Sequence, residues 1–207
     1  MKPPVMAVAR WNSNAELLVS VARLGYLRKE WRTLDPTWGV GTWWKAFRPD
    51  DLVASDLVLE KSPCGESVDF RKLPHEDASF DAVAFDPPYR LNGRPHEGDA
   101  RYGTDVVASW QDRMELIRDG MTECIRVLRP DGILLVKCMD QVCSGKVRWQ
   151  TIEFANHAAE HECELVDQLH PVGGRPQPER TRKDGKPSVQ HHARRNISTL
   201  QVYRKGR

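Results

Sequence analysis

The chain has 207 residues, 40% of them apolar and 29% charged, with a formal net charge of +2. That length suits one domain with a sizeable core, and the composition is that of an ordinary soluble protein, which excludes disordered and fibrous classes. No apolar run approaches the length of a bilayer crossing, and residues 1–10 lack a signal-peptide hydrophobic region, so no membrane partner and a cytoplasmic location are expected.

Ser13 and Glu16 fit a capping box, and Leu17, Val21 and Leu24 follow at helical spacing until Gly25, so a first helix is expected over 14–24. Trp31-Arg32-Thr33-Leu34 reads as a short strand. It runs into Asp35-Pro36-Thr37-Trp38-Gly39-Val40-Gly41-Thr42 and then a helix over about 42–47. A strand entering a G-x-G turn places bare backbone beside a ligand. The third glycine of the dinucleotide fingerprint is missing, so a cofactor without phosphates fits better than a nicotinamide one.

A second strand, Leu52–Ser55, ends at Asp56, well placed to accept from a ribose diol or to cap a helix. A third strand is expected over about 67–70, bringing Asp69 to the same edge with Phe70 beside it. The fourth, Ala82–Phe85, ends at Asp86-Pro87-Pro88-Tyr89, because two prolines cannot donate ladder hydrogen bonds. Four successive strands thus each end in an aspartate: Asp35, Asp56, Asp69 and Asp86. In open α/β sheets that edge is where ligands bind.

A loop rich in glycine and charge covers 90–108, with Arg90 and Arg94 among its cations; loops of this length in a compact domain are commonly functional. Ser109 caps the next helix with Asp112 three residues on, and Trp110, Met114, Ile117, Met121, Cys124 and Leu128 form its apolar stripe. Pro130-Asp131-Gly132 is expected to turn into a buried fifth strand, Ile133–Val136, after which Lys137–Gln141 reaches the site rim. A helix over about 151–160, a strand over 164–169 and a last strand over 199–203 complete the chain, the final two antiparallel.

Residues 171–207 hold ten Lys/Arg and two Asp/Glu, a balance of +8, so the first 170 residues sum to −6. A basic segment on an acidic body favours a polyanionic partner. Arg175, Arg180, Arg182, Lys183, Arg194 and Arg195 are its candidate phosphate contacts, on a basic loop over 171–196. The five cysteines (Cys64, Cys124, Cys138, Cys143, Cys163) lack a tight framework and are expected to be reduced. His157 and His161 with Cys163 lack an obvious fourth ligand, and no metal is expected.

Together these residues resemble the class I S-adenosylmethionine-dependent methyltransferases, and within them the branch that methylates amino groups of adenine or cytosine in DNA. Residues 35–42 are similar to that branch's D-P-F-x-G-x-G-T motif, with Thr37 in place of Phe, and residues 86–89 match its D/N-P-P-Y/F signature. The resemblance spans nearly the whole chain. It implies an α/β fold, a Rossmann-like doubly wound, mostly parallel seven-stranded sheet with an antiparallel last strand, in a single domain over 1–207. It implies S-adenosyl-L-methionine as cofactor, held by Asp35, Thr37, Gly39, Gly41, Thr42, Asp56, Asp69, Phe70 and Asp86. The catalytic residues would be Asp86, Pro87, Pro88 and Tyr89. Asp86 and the Pro87 carbonyl would accept from the target amine, and Tyr89 would stack on the base.

Related P-P-Y tetrapeptides serve enzymes acting on guanine in RNA and on glutamine amides in proteins, so RNA stays open beside DNA. A non-catalytic scaffold would have no need for the full set of strand-end acids. Restriction-type relatives carry a separate recognition domain for which this chain has no room. Sequence reading would fall to loops 90–108 and 171–196, to a second copy or separate partner, or be minimal.

Overall fold

The computed structural model describes residues 11–91, 109–172, 192–193, 195 and 197–207. Helix α1 (Asn14–Arg23) comes first, its cap the Ser13 hydroxyl, which accepts from the Glu16 amide at 3.2 Å. Glu16 itself turns back to the Asn12 amide at 2.9 Å. Strands β1 (Arg32–Asp35) and β2 (Asp51–Ala54) follow, with a short 3-10 helix, Thr42–Lys45, between them. Next come β3 (Phe80–Phe85), helix α2 (Trp110–Val127) and β4 (Leu128–Cys138). A hairpin of β5 (Gln141–Cys143) and β6 (Lys146–Arg148) leads to helix α3 (Gln150–Glu160), and β7 (Cys163–Leu169) and β8 (Thr199–Lys205) end the chain.

The main sheet has the order β2-β1-β3-β4-β8-β7. The pairs β1–β2, β1–β3 and β3–β4 are parallel, and β8 runs antiparallel to both β4 and β7. Both faces of the central strands are covered, as the apolar runs require. Val83, Phe85, Leu134 and Val136 face one core with Ile117, Met121 and Phe154 of α2 and α3. Ala82, Ala84, Ile133 and Leu135 face the other, with Leu17, Leu18 and Val21 of α1 and with Trp43 and Trp44. Each fully buried aliphatic side chain here contributes about 1.5–3 kcal/mol.

The sequence-based expectation of seven strands in one sheet is corrected to six among the described residues. The segment over 67–70 makes a single parallel bridge, Ser67 with Asp56. Val68 and Phe70 point inward, at 6% and 7% exposure, and the chain then turns, the Lys72 amide donating to the Asp69 carbonyl at 2.9 Å. Burial of two alternate side chains tethers the segment without a longer ladder. The helix expected over 42–47 is four residues of 3-10 helix. The turn expected at 130–132 lies within β4 as an irregularity: pairing with β3 shifts register there, and Asp131 has φ 62°.

Among the described residues the cysteines are free thiols, Cys64 exposed and the other four buried, and no helix is long and apolar enough to cross a membrane.

Candidate active site at the carboxyl edge of the sheet

Because β2, β1 and β3 are neighbours and parallel, their carboxyl ends share one edge. Asp35 ends β1, Asp56 stands two residues past β2, and Asp86 directly follows β3. Hydrogen bonds knit the three together. The Thr37 hydroxyl donates to Asp35 Oδ1 at 3.3 Å and accepts from the Asp86 amide at 2.9 Å. The Thr37 amide also donates to Asp35 Oδ1, at 2.9 Å. Asp56 accepts from the Gly39 amide at 2.7 Å and from the Val58 amide at 2.9 Å. Gly39 and Gly41 have φ 58° and 64°, the left-handed region that glycine enters without strain. A Cβ on Gly41 would lie 2.4 Å from the Trp38 ring, so the turn also needs the missing side chain. Thr42, exposed, opens the 3-10 helix.

That short helix supplies two residues the sequence reading missed. Trp43 Nε1 donates to Asp86 Oδ2 at 2.9 Å, and Trp44 Nε1 donates to Asp35 Oδ2 at 2.7 Å. The signal was two adjacent tryptophans directly after the G-x-G-T turn, since a buried indole N–H requires an acceptor. Lys137, 5% exposed, lies with Nζ 5.9 Å above the Trp43 ring and donates to Asn14 Oδ1 of α1. Burial pushes the Asp35 carboxyl up to about 7, against the pull of its Trp44 and Thr37 donors. Burial also raises Asp86, opposed first by the Lys137 charge and then by the Trp43 N–H. Lys137 is lowered by burial and partly restored by Asp86.

The tetrapeptide after β3 is held as firmly. The Tyr89 amide donates to the Pro87 carbonyl at 2.7 Å, closing a three-residue turn on Pro88 that a proline φ suits. The Tyr89 carbonyl accepts from Gln141 Nε2 and Gln150 Nε2, both at 2.8 Å. The two glutamine oxygens in turn accept from the Leu91 and Met139 amides, each at 2.9 Å. Arg113, 3% exposed, donates to the Arg90 carbonyl at 3.0 Å. Gln150 and Arg113 were not legible as site residues, because each carries the polarity of an ordinary helix surface.

Two expected cofactor residues stand apart from the hydrogen-bonded edge. Asp69 is taken by Arg71, with Oδ2 2.6 Å from Nη2. Phe70 packs edge-on against Phe85, ring centres 5.1 Å apart, inside the core. Of the expected nucleic-acid contacts, Arg90 is exposed and Arg195 lies 4.7 Å above the Trp149 ring. Arg94, Arg175, Arg180, Arg182, Lys183 and Arg194 lie outside the described residues, as does most of both loops. His157 and His161 turn Nε2 to the Thr122 hydroxyl, at 3.0 and 3.4 Å, and among the described residues no cluster of three metal ligands forms.

No family model and no curated protein matches the chain. Solved structures do. A Bacillus halodurans protein described as a methyltransferase superposes with a TM-score of 0.59 at 14% identity, over 93% of this chain and all of that one. An S-adenosylmethionine-dependent methyltransferase of Thermotoga maritima gives 0.56 at 13% identity, over 93% of this chain and 88% of that one. One of Methanosarcina mazei gives 0.50 at 11% identity, over 88% and 96%. The chain therefore has the fold of the S-adenosylmethionine-dependent methyltransferases.

Proposed function

We propose that the protein transfers a methyl group from S-adenosyl-L-methionine to the exocyclic amino group of a nucleobase, adenine N6 or cytosine N4 in DNA. The observation that carries this reading is the state of Asp86. Its Oδ2 is pinned by Trp43, its amide by Thr37, and its Oδ1 makes no hydrogen bond among the described residues. An acceptor so fixed, beside a rigid Pro-Pro turn, suits an incoming N–H donor.

The edge around Asp35 and Asp56 fits the cofactor. Asp56 uses one bond on each oxygen and keeps lone pairs for a diol. The neighbouring Ser55 hydroxyl is buried without a partner, an arrangement that costs about 1–3 kcal/mol until a polar group meets it. Apart from Gly39 and its two chain neighbours, no heavy atom lies within 4 Å of a Cβ placed there, which leaves its backbone open to close approach. Asp35, with both oxygens engaged, holds the turn in shape beside the place the cofactor's amino group would take.

The bound cofactor would supply an electrophilic methyl on a sulfonium. The chain's own part is to prepare the nucleophile. An exocyclic amine is a weak nucleophile because its lone pair is delocalised into the ring. Asp86 Oδ1 and the Pro87 carbonyl, which keeps a lone pair beyond its Tyr89 bond, would accept its hydrogens and favour the pyramidal form. They would also stabilise the positive charge that grows on nitrogen during transfer. Tyr89 would replace the stacking lost when the base leaves a duplex.

Calorimetry and a labelled-methyl assay on the same variants test the assignment. Asp86→Ala is expected to bind cofactor like the parent and to lose transfer by about 10²-fold or more. Asp56→Ala is expected to weaken cofactor binding first. Unaltered turnover in both would overturn the roles, and the assay run on RNA in parallel separates the two nucleic acids.

A further inference from the structure

The hairpin between β4 and α3 lies against the active-site backbone and carries an unusual set of groups. Gln141 at its start and Gln150 just past its end both grip the Tyr89 carbonyl. Its turn, Ser144-Gly145, has positive φ at both positions, 51° and 74°, and projects a short two-stranded ribbon. Residues 141–149 include Lys146 and Arg148 and no carboxylate. The Arg148 guanidinium carbon lies over the Trp110 ring, 3.6 Å from its centre. Its Nε is buried without an acceptor, and no carboxylate pairs with it among the described residues.

Trp149, the next residue, is 46% exposed, a large surface for an indole. Arg195 covers one face at 4.7 Å. The ring makes no capping bond to α3. His192 Nε2 lies 3.0 Å from the Gly145 carbonyl, which brings the end of the basic segment onto the same hairpin. A cation stacked on an indole with no carboxylate paired to it among the described residues, as Arg148 is, next to an exposed indole, matches a polyanion whose monomers carry flat rings.

We propose that this hairpin and Trp149 form a docking surface for the unpaired DNA strand that carries the target base. Arg148 and Lys146 contact backbone phosphates, and Trp149 stacks the base beside the target. The proposal rests on the methyl-transfer reading for its choice of DNA, while the charge and exposure of the surface stand without it.

Anisotropy of a short labelled single-stranded DNA, titrated with the full chain and no cofactor, tests it. Trp149→Ala is expected to weaken binding about tenfold, the usual effect of losing one base stack, with the salt slope unchanged. Trp149→Phe restores most of the affinity. Arg148→Met keeps the side-chain stem on Trp110 and is expected to make the salt slope shallower by about 0.7, one phosphate of a single strand. Heparin, a polyanion without bases, loses nothing on Trp149→Ala.

Wild-type affinity in Trp149→Ala, an equal loss for heparin, or tighter binding of the matching RNA would overturn the proposal. So would a dimer that dissociates on Trp149→Ala, which would assign the exposed ring to a second copy. Thermal melts confirm that each variant is folded. Binding through Trp149 without any methyl transfer would sink the enzymatic reading and leave the surface standing. Transfer to DNA with Trp149→Ala unaltered in binding would do the reverse.

Discussion

Adjacent indoles at Trp43 and Trp44 hold two different carboxylates, Asp86 and Asp35, and so set the distance between the two halves of the site. Trp43→Phe keeps the ring under Lys137 and removes only the N–H. Losing one hydrogen bond to a charged group is worth about 1.5–3 kcal/mol. Transfer is expected to fall about tenfold or more while calorimetry shows cofactor binding little changed. Lys137 acts on the same carboxylate through charge. Its ammonium lowers the Asp86 pKa against burial, so Lys137→Met lets that pKa climb. If ionised Asp86 is the reactive form, the rising limb of the pH–rate profile moves to higher pH in this variant. An unmoved limb would detach Lys137 from the chemistry.

At the scale of elements, the sheet works because helices approach it closely. Gly120 in α2 faces the Phe70–Phe85 pair, and a Cβ there would lie 2.5 Å from Phe70 Cδ2 and 2.8 Å from Phe85 Cζ. Gly120→Ala gains helix propensity yet overpacks this contact. A net loss of about 1–3 kcal/mol in urea unfolding is expected. Element order was largely legible, because continuous apolar runs such as Ile133–Val136 and helical stripes such as Met114-Ile117-Met121 carry their own signal. The β5–β6 hairpin was missed, although Gln141-Val142-Cys143, a Ser-Gly pair and Lys146-Val147-Arg148 fit a two-residue turn. Its strands are only three residues each, too short for alternation to stand out. The strand expected at 67–70 failed for the opposite reason: Val68 and Phe70 alternate correctly, but the ladder that would extend them is a single bridge.

For the whole molecule, the strand-end aspartates were the most informative feature of the sequence. Asp35, Asp56 and Asp86 do share one edge, since parallel neighbours must align their carboxyl ends. The sequence could not reveal which oxygens the protein itself would occupy. That depends on Trp43, Trp44 and Thr37, of which Trp43 and Thr37 reach Asp86 from far along the chain. One consequence is a pH dependence of stability. Asp35 keeps its proton up to about 7 in the folded state, against an ordinary value of 3.8 in the unfolded chain. Between those values the folded form binds the extra proton, so stability falls as pH rises and levels off above about 7. Unfolding free energies from urea titrations at about pH 5 and about pH 8 are expected to differ by a few kcal/mol in the parent. In Asp35→Asn that difference should shrink.

The central claim is methyl transfer to a base amino group at Asp86. Mass spectrometry of nucleosides, after incubating the protein with DNA and isotopically labelled cofactor, reads it directly. Labelled N6-methyladenine or N4-methylcytosine is expected from the parent and none from Asp86→Ala. A parent protein that binds the cofactor and leaves every nucleoside unlabelled would contradict it.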